Sequence, residues 1–188
     1  YINMFKEAGL DAVLLGHNID SPFIGQLEQK NEGLKFLRID ADVTDTFKEE
    51  VAEESAEAFK ADTEKLTETF KKALGNDKLE IKVEKLKNAD LASMITVSEE
   101  SRRMQDMMKM YNMYGMDPSM FGGAGETLVL NANNSLVQYV LGHEEGANTE
   151  KICQQLYDLA SLSHGSLTPE RMTKFIARTN EIMGMIAE

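Results

Sequence analysis

Pro169-Glu170-Arg171-Met172-Thr173-Lys174-Phe175-Ile176-Ala177-Arg178-Thr179-Asn180-Glu181-Ile182-Met183-Gly184-Met185-Ile186 carries a strong helical period. Met172, Phe175, Ile176, Thr179, Ile182, Met183 and Ile186 recur at i, i+3, i+4 and i+7, with Lys174, Arg178 and Glu181 opposite. Thr168-Pro169-Glu170 opens the helix with a cap, a proline at the first helical position and an acid in the first turn. The helix before it carries Ile152, Cys153, Leu156, Tyr157, Leu159, Ala160 and Leu162, apolar around most of its circumference. Such a helix needs cover on more than one side. A second copy of the chain can supply that cover: two helices from each protomer would close a four-helix bundle through a twofold contact. The interface would then use Leu156, Leu159, Met172, Phe175, Ile176, Thr179, Ile182, Met183 and Ile186. Packing onto the chain's own α/β layer is the alternative.

Outward from this pair, helical segments are expected near 134–141, 148–163 and 168–186, with Asn148 or Thr149 capping the second. Before them Gly122-Gly123-Ala124-Gly125 reads as a hinge or loose loop. Ser98 caps a helix with Glu99 and Glu100 in its first turn. That helix is rich in methionine: of the 12 in the chain, 7 fall between Met104 and Met120. Met is flexible and specifies packing poorly, so a dense Met face suits a surface that accommodates apolar partners of many shapes. Met104, Met107, Met108, Met110, Tyr111, Met113 and Tyr114 are the candidate contact residues for such partners. An ordinary core helix is the competing reading.

The first half reads as an α/β layer. Gly9 would end a short helix, Ala12–Leu15 is a continuous apolar strand, and Asp20-Ser21-Pro22 caps a helix bearing Phe23, Ile24 and Leu27. Leu34–Ile39 is the next strand, and strand, helix, strand suggests a parallel crossover unit. A long acidic amphipathic helix is expected over 44–74, placing Phe47, Val51, Phe59, Leu66, Phe70 and Leu74 on one face, with Gly75-Asn76-Asp77 ending it. Leu79, Ile81 and Val83 then alternate with charged residues as a half-buried strand, and Met94–Val97 completes the strand set. The division expected is an α/β subdomain at 1–98, a Met-rich helix and loop at 99–125, and a helical dimerisation module at 126–188.

Composition limits the functions available. The chain has 188 residues, 20 Lys and Arg against 32 Asp and Glu, and a net charge of −12. That balance disfavours binding to nucleic acid, whose phosphates require a basic face, and to anionic membrane surfaces. One cysteine, Cys153, excludes an internal disulfide and a zinc cluster; it lies on an apolar helix without a basic neighbour in sequence, as an inert thiol would. Asp40-Ala41-Asp42-Val43-Thr44 starts like a calcium loop, but Asp45 stands where glycine is required and Val51 where glutamate is. Gly122-Gly123-Ala124-Gly125-Glu126 lacks a preceding strand and a following Gly-Lys-Ser/Thr, so it cradles no phosphate. No metal site is expected. His17-Asn18-Ile19-Asp20 lies between a strand and a helix, where open α/β sheets bind ligands. An enzyme site near His17–Ser21 is therefore the rival functional reading, with a polar cap as its plain explanation. Tyr1-Ile-Asn-Met-Phe-Lys-Glu, with no export leader, reads as the interior of a longer cytoplasmic protein.

Phe5-Lys6-Glu7-Ala8-Gly9-Leu10-Asp11-Ala12-Val13-Leu14-Leu15, followed by Asn18-Ile19-Asp20, resembles the opening of the C-terminal domain of the ninety-kilodalton heat-shock chaperones. Asp158-Leu159-Ala160-Ser161-Leu162-Ser163-His164-Gly165-Ser166-Leu167-Thr168-Pro169 is similar to the run joining that family's last two helices, and Leu130-Asn131 stands where the family has Leu-Asn-Pro. The likeness covers essentially the whole chain and is strongest to bacterial members. It implies a constitutive homodimer of a stress-response chaperone that binds unfolded or partly folded client proteins, with the client helix falling on Met104–Tyr114. It also implies that ATP and Mg bind the parent protein in a distant N-terminal domain, so that this fragment holds no cofactor and is not itself an enzyme. Two departures stand out. Gly184-Met185-Ile186-Ala187-Glu188 lacks the Met-Glu-Glu-Val-Asp that docks helical-repeat cochaperones, and Ala132 replaces the family's proline.

Overall fold

A computed structural model describes residues 6, 9, 13, 15–17, 19–34, 36, 47–49, 55–97 and 125–187. Among these, five helices and three strands are arranged as α1 (Asp20–Lys30), α2 (Ala56–Leu74), β1 (Glu80–Glu84), β2 (Ser93–Val97), β3 (Glu126–Asn131), α3 (Ser135–Gly142), α4 (Thr149–His164) and α5 (Pro169–Ala187). The architecture is mixed helix and sheet, in the class expected. The sheet runs β1-β3-β2, with β3 parallel to β1 and antiparallel to β2.

β3 was not expected as a strand, and it is the centre of the sheet. Leu128 and Leu130 face a core built with Leu66 and Phe70 of α2, Val83 of β1, Ile95 and Val97 of β2, Val137 and Val140 of α3, and Cys153, Leu156 and Ala160 of α4. Val129 faces the other way, into a smaller cluster with Phe47, Leu86 and Met94. A strand covered on both faces has no polar side to alternate with, so its sequence loses the period of two that marks a half-exposed strand. β3 lies within 126–188, so the segment read as purely helical shares one sheet with 80–97.

Helix α2 begins at Ala56, twelve residues later than the start expected at 44. Phe47 is buried outside it: residues 47–49 lie along the loop after β1, where Lys48 bridges Leu86 and the Glu49 amide donates to the Lys85 carbonyl at 2.8 Å. The other end is as read, since Gly75 takes a left-handed φ of 60° that side chains resist, and its amide closes the last turn. The expected strands at 12–15 and 34–39 are absent at their described residues. Val13, Leu15, Leu34 and Phe36 have no strand partner and stand exposed, so no parallel crossover unit forms among the described residues. Helix α1 starts at Asp20 itself, whose carboxylate accepts the His17 amide at 2.8 Å instead of capping the helix from outside.

The turn from β3 into α3 is built from asparagines. Asn134 caps α3 by accepting the Leu136 amide at 3.0 Å and donates to the Ala89 carbonyl at 2.8 Å. Ala132, at the family's proline position, donates its amide to the Glu84 carbonyl at 2.8 Å and continues the pairing of β1 with β3. Proline has no such donor.

Candidate functional site

The last two helices meet through polar side chains. Lys151 Nζ pairs with Glu181 at 2.5 Å, Gln155 donates to Thr179 Oγ1 at 3.0 Å, and Asp158 lies between two arginines. Arg171 donates to Asp158 Oδ1 through Nε at 3.2 Å and Nη2 at 2.6 Å, while Arg178 Nη2 reaches Oδ2. Arg178 also donates to Gln155 Oε1 at 2.9 Å and Gln154 Oε1 at 3.2 Å, and Arg171 lies over the Tyr157 ring at 4.7 Å. Burial raises the Tyr157 hydroxyl's pKa, and the Arg171 charge acts in the opposite direction. These contacts place α5 beside α4 through polar groups, Thr179 being the one member of the α5 stripe among them.

That stripe is covered only in part. No residue of α5 is buried. Ile176 is 51% exposed, Met183 54% and Ile186 80%, and on α4 Leu159 is 44% exposed. Met172, Phe175 and Ile182 are half-buried. Scattered apolar residues on a surface need no explanation, but a helix with an apolar face and no buried residue does.

Two of the expected interface residues are placed elsewhere. Leu156 is 2% exposed, enclosed in its own chain's core because α4 lays Cys153, Leu156 and Ala160 against β2 and α2. Thr179 is turned to α4, its hydroxyl accepting from Gln155 and donating to the Phe175 carbonyl at 2.8 Å. The chain's own layer thus covers one side of α4. Asp158 was missed in the sequence. Its partners lie 13 and 20 residues ahead on another helix, and only the seven-residue spacing of Arg171 and Arg178 hinted at a shared face.

The Met104–Tyr114 contact residues lie outside the described residues. Around the rival site, His17 and Asp20 are joined by local hydrogen bonds, the Ile19 carbonyl accepts the Phe23 amide, and His17 and Ile19 are exposed. A cleft of about 130 Å³, lined by Ser55, Phe59, Asp62, Leu66, Lys85 and Gln138 among others, takes no residue from 17–21. The enzyme reading is not favoured. Among the described residues no group of His, Cys, Asp or Glu is placed to hold a metal, and no helix is long and apolar enough to cross a membrane.

A small mixed sheet under helices, ending in a helix with exposed apolar residues, defines a mixed helix-and-sheet domain. The family model described as "Hsp90 protein" matches residues 1–188, and the chain belongs to that family. It is 33% identical over 171 residues to the chaperone protein HtpG of Bacteroides thetaiotaomicron, covering 87% of this chain and 24% of the relative. It is 35% identical over 153 residues to the Bacteroides fragilis protein of the same name, covering 77% and 21%. A Porphyromonas gingivalis chaperone protein HtpG is 30% identical over 153 residues, with the same coverage. The chain thus spans about a quarter of the length of the curated relatives it matches.

Proposed function

We propose that this chain is the C-terminal dimerisation domain of a cytoplasmic, HtpG-like, ATP-dependent chaperone. The observation carrying the proposal is the division of labour on α5: polar residues brace it to α4, while Ile176, Met183 and Ile186 are left exposed. In the proposed dimer, α4 and α5 of two protomers form a four-helix bundle across a twofold axis. Met172, Ile176, Met183 and Ile186 from both chains contribute eight partly exposed side chains at about 1 kcal/mol or more each. Association costs roughly 4–15 kcal/mol, so that stripe alone gives a marginal dimer. Leu159, Phe175 and Ile182 are needed to make it firm. Sedimentation is expected to give a dimer at micromolar concentration, and Ile176→Asp with Met183→Asp a folded monomer. A wild-type monomer overturns the proposal.

The second part of the proposed function is client binding by Met104, Met107, Met108, Met110, Tyr111, Met113 and Tyr114. It is supported by the methionine density of that segment and by membership of a family whose relatives are named chaperones. The chain itself needs no cofactor for either role; ATP with Mg would act in the part of the parent beyond this chain. Met107→Glu with Met108→Glu is expected to weaken binding of a reduced, unfolded model protein while the dimer persists. Unchanged binding returns those methionines to an ordinary core helix.

A further inference from the structure

Side-chain hydrogen bonds and ion pairs brace α4 to α5, and the two arginines of α5 that join them converge on one carboxylate of α4. The Asp158 side chain is 9% exposed and that of Arg178 is 10% exposed. Asp158 divides its oxygens: Oδ1 takes Arg171, at the start of α5, and Oδ2 takes Arg178, two turns further on. Two anchors on one helix fix its roll as well as its position. The neighbouring contacts Gln155–Thr179 and Lys151–Glu181 extend the same line toward the end of α5. Roll decides which residues of α5 face outward, since no apolar residue of α5 is fully buried and Met172, Phe175 and Ile182 are covered only in part.

We propose that Asp158 is the positioning residue of the α5 contact face: by holding Arg171 and Arg178 it sets the roll of α5, and so presents Met172, Ile176, Met183 and Ile186 as one surface. This rests on reading that surface as the dimer contact. A buried charge left without its partner is strongly unfavourable, so removing the carboxylate should release both arginines together and let α5 turn or detach.

The test uses Asp158→Asn in the 188-residue chain, which keeps the shape and removes the charge. Sedimentation across a dilution series is expected to show a dimer Kd weakened on the order of tenfold or more. Hydrogen exchange should quicken at α5 amides while β1, β2 and β3 amides keep their protection. Orientation is read by self-crosslinking of Ile176→Cys and, from the opposite side of α5, Lys174→Cys. The native background should crosslink at 176 only, and the Asp158→Asn background at both. An unchanged Kd with unchanged α5 exchange overturns the proposal, as does a loss of sheet protection together with α5. If Asp158→Asn does not fold, Arg178→Gln leaves the carboxylate paired with Arg171 and is read by the same measurements. A wild-type chain that sediments as a monomer removes the dimer reading. In that case α5 exchange in Asp158→Asn still decides the positioning role, quickened exchange supporting it and native exchange overturning it.

Discussion

Asn131 is fully enclosed at the end of β3 and satisfies all the polar atoms of its side chain. Its oxygen accepts the amides of Leu86 and Asn133, each at 3.0 Å, and its nitrogen donates to the carbonyls of Asn88 and Leu91 at 2.8 and 2.7 Å. One amide thus fixes the loop joining β1 and β2 to the end of the central strand. A buried polar side chain is tolerated when it is fully paired, and removing it would strand four backbone groups. In the sequence this residue was only a point of family likeness, because three of its four partners lie 40 to 45 residues away. Cys153 is the opposite case, an isolated thiol legible as inert from its apolar neighbours. Burial pushes its pKa up from 9.0 to about 12. The folded chain is therefore expected to resist thiol reagents at pH 8 and to react on unfolding. The unfolded thiol ionises first, so this contribution to stability is intact below pH 9.0 and is lost progressively as pH rises toward about 12. Urea titrations at successive pH values, with Cys153→Ala as control, measure it.

Two kinds of element occur in the one chain. β3 and α4 derive their place from burial: Leu128 and Leu130 are wholly enclosed, and Cys153, Leu156 and Ala160 seal the sheet from one side. α5 buries no residue fully, and the contacts described between it and α4 are polar. Leu128→Ala should cost about 3 kcal/mol in a urea titration, since a large core side chain is removed. Ile176→Ala in a chain diluted below its association range should stay within about 0.5 kcal/mol, as for other exposed positions. A large loss for Ile176→Ala under those conditions would mean that α5 is packed into its own chain after all. Periodicity located α3, α4 and α5 to within a residue, and Gly75 ended α2 where expected. It failed at Lys48 and Glu49, which lie outside any helix along the loop after β1, although the apolar spacing around Phe47 continues a helical pattern; Phe47 packs beside Leu86 and Met94.

For the whole molecule, the proposed dimer would couple stability to association through the exposed residues of α5. If α5 closes a dimer, a tenfold rise in concentration adds about 1.4 kcal/mol per dimer, so Tm should climb by about 2 °C, as differential scanning calorimetry can record. The Ile176→Asp, Met183→Asp chain should show a Tm independent of concentration. The sequence by itself determined the class of fold, the positions of the last three helices, the apolar stripe on α5 and the family. All of these are written in local spacing and short motifs. Tertiary structure decided that β3 is the central strand, that Leu156 and Thr179 turn inward, and that Asp158 gathers two arginines from the next helix. The physical reason is the same in each case: these roles are set by what lies across the fold, and burial on both faces or pairing over long separations leaves no repeat along the chain to read.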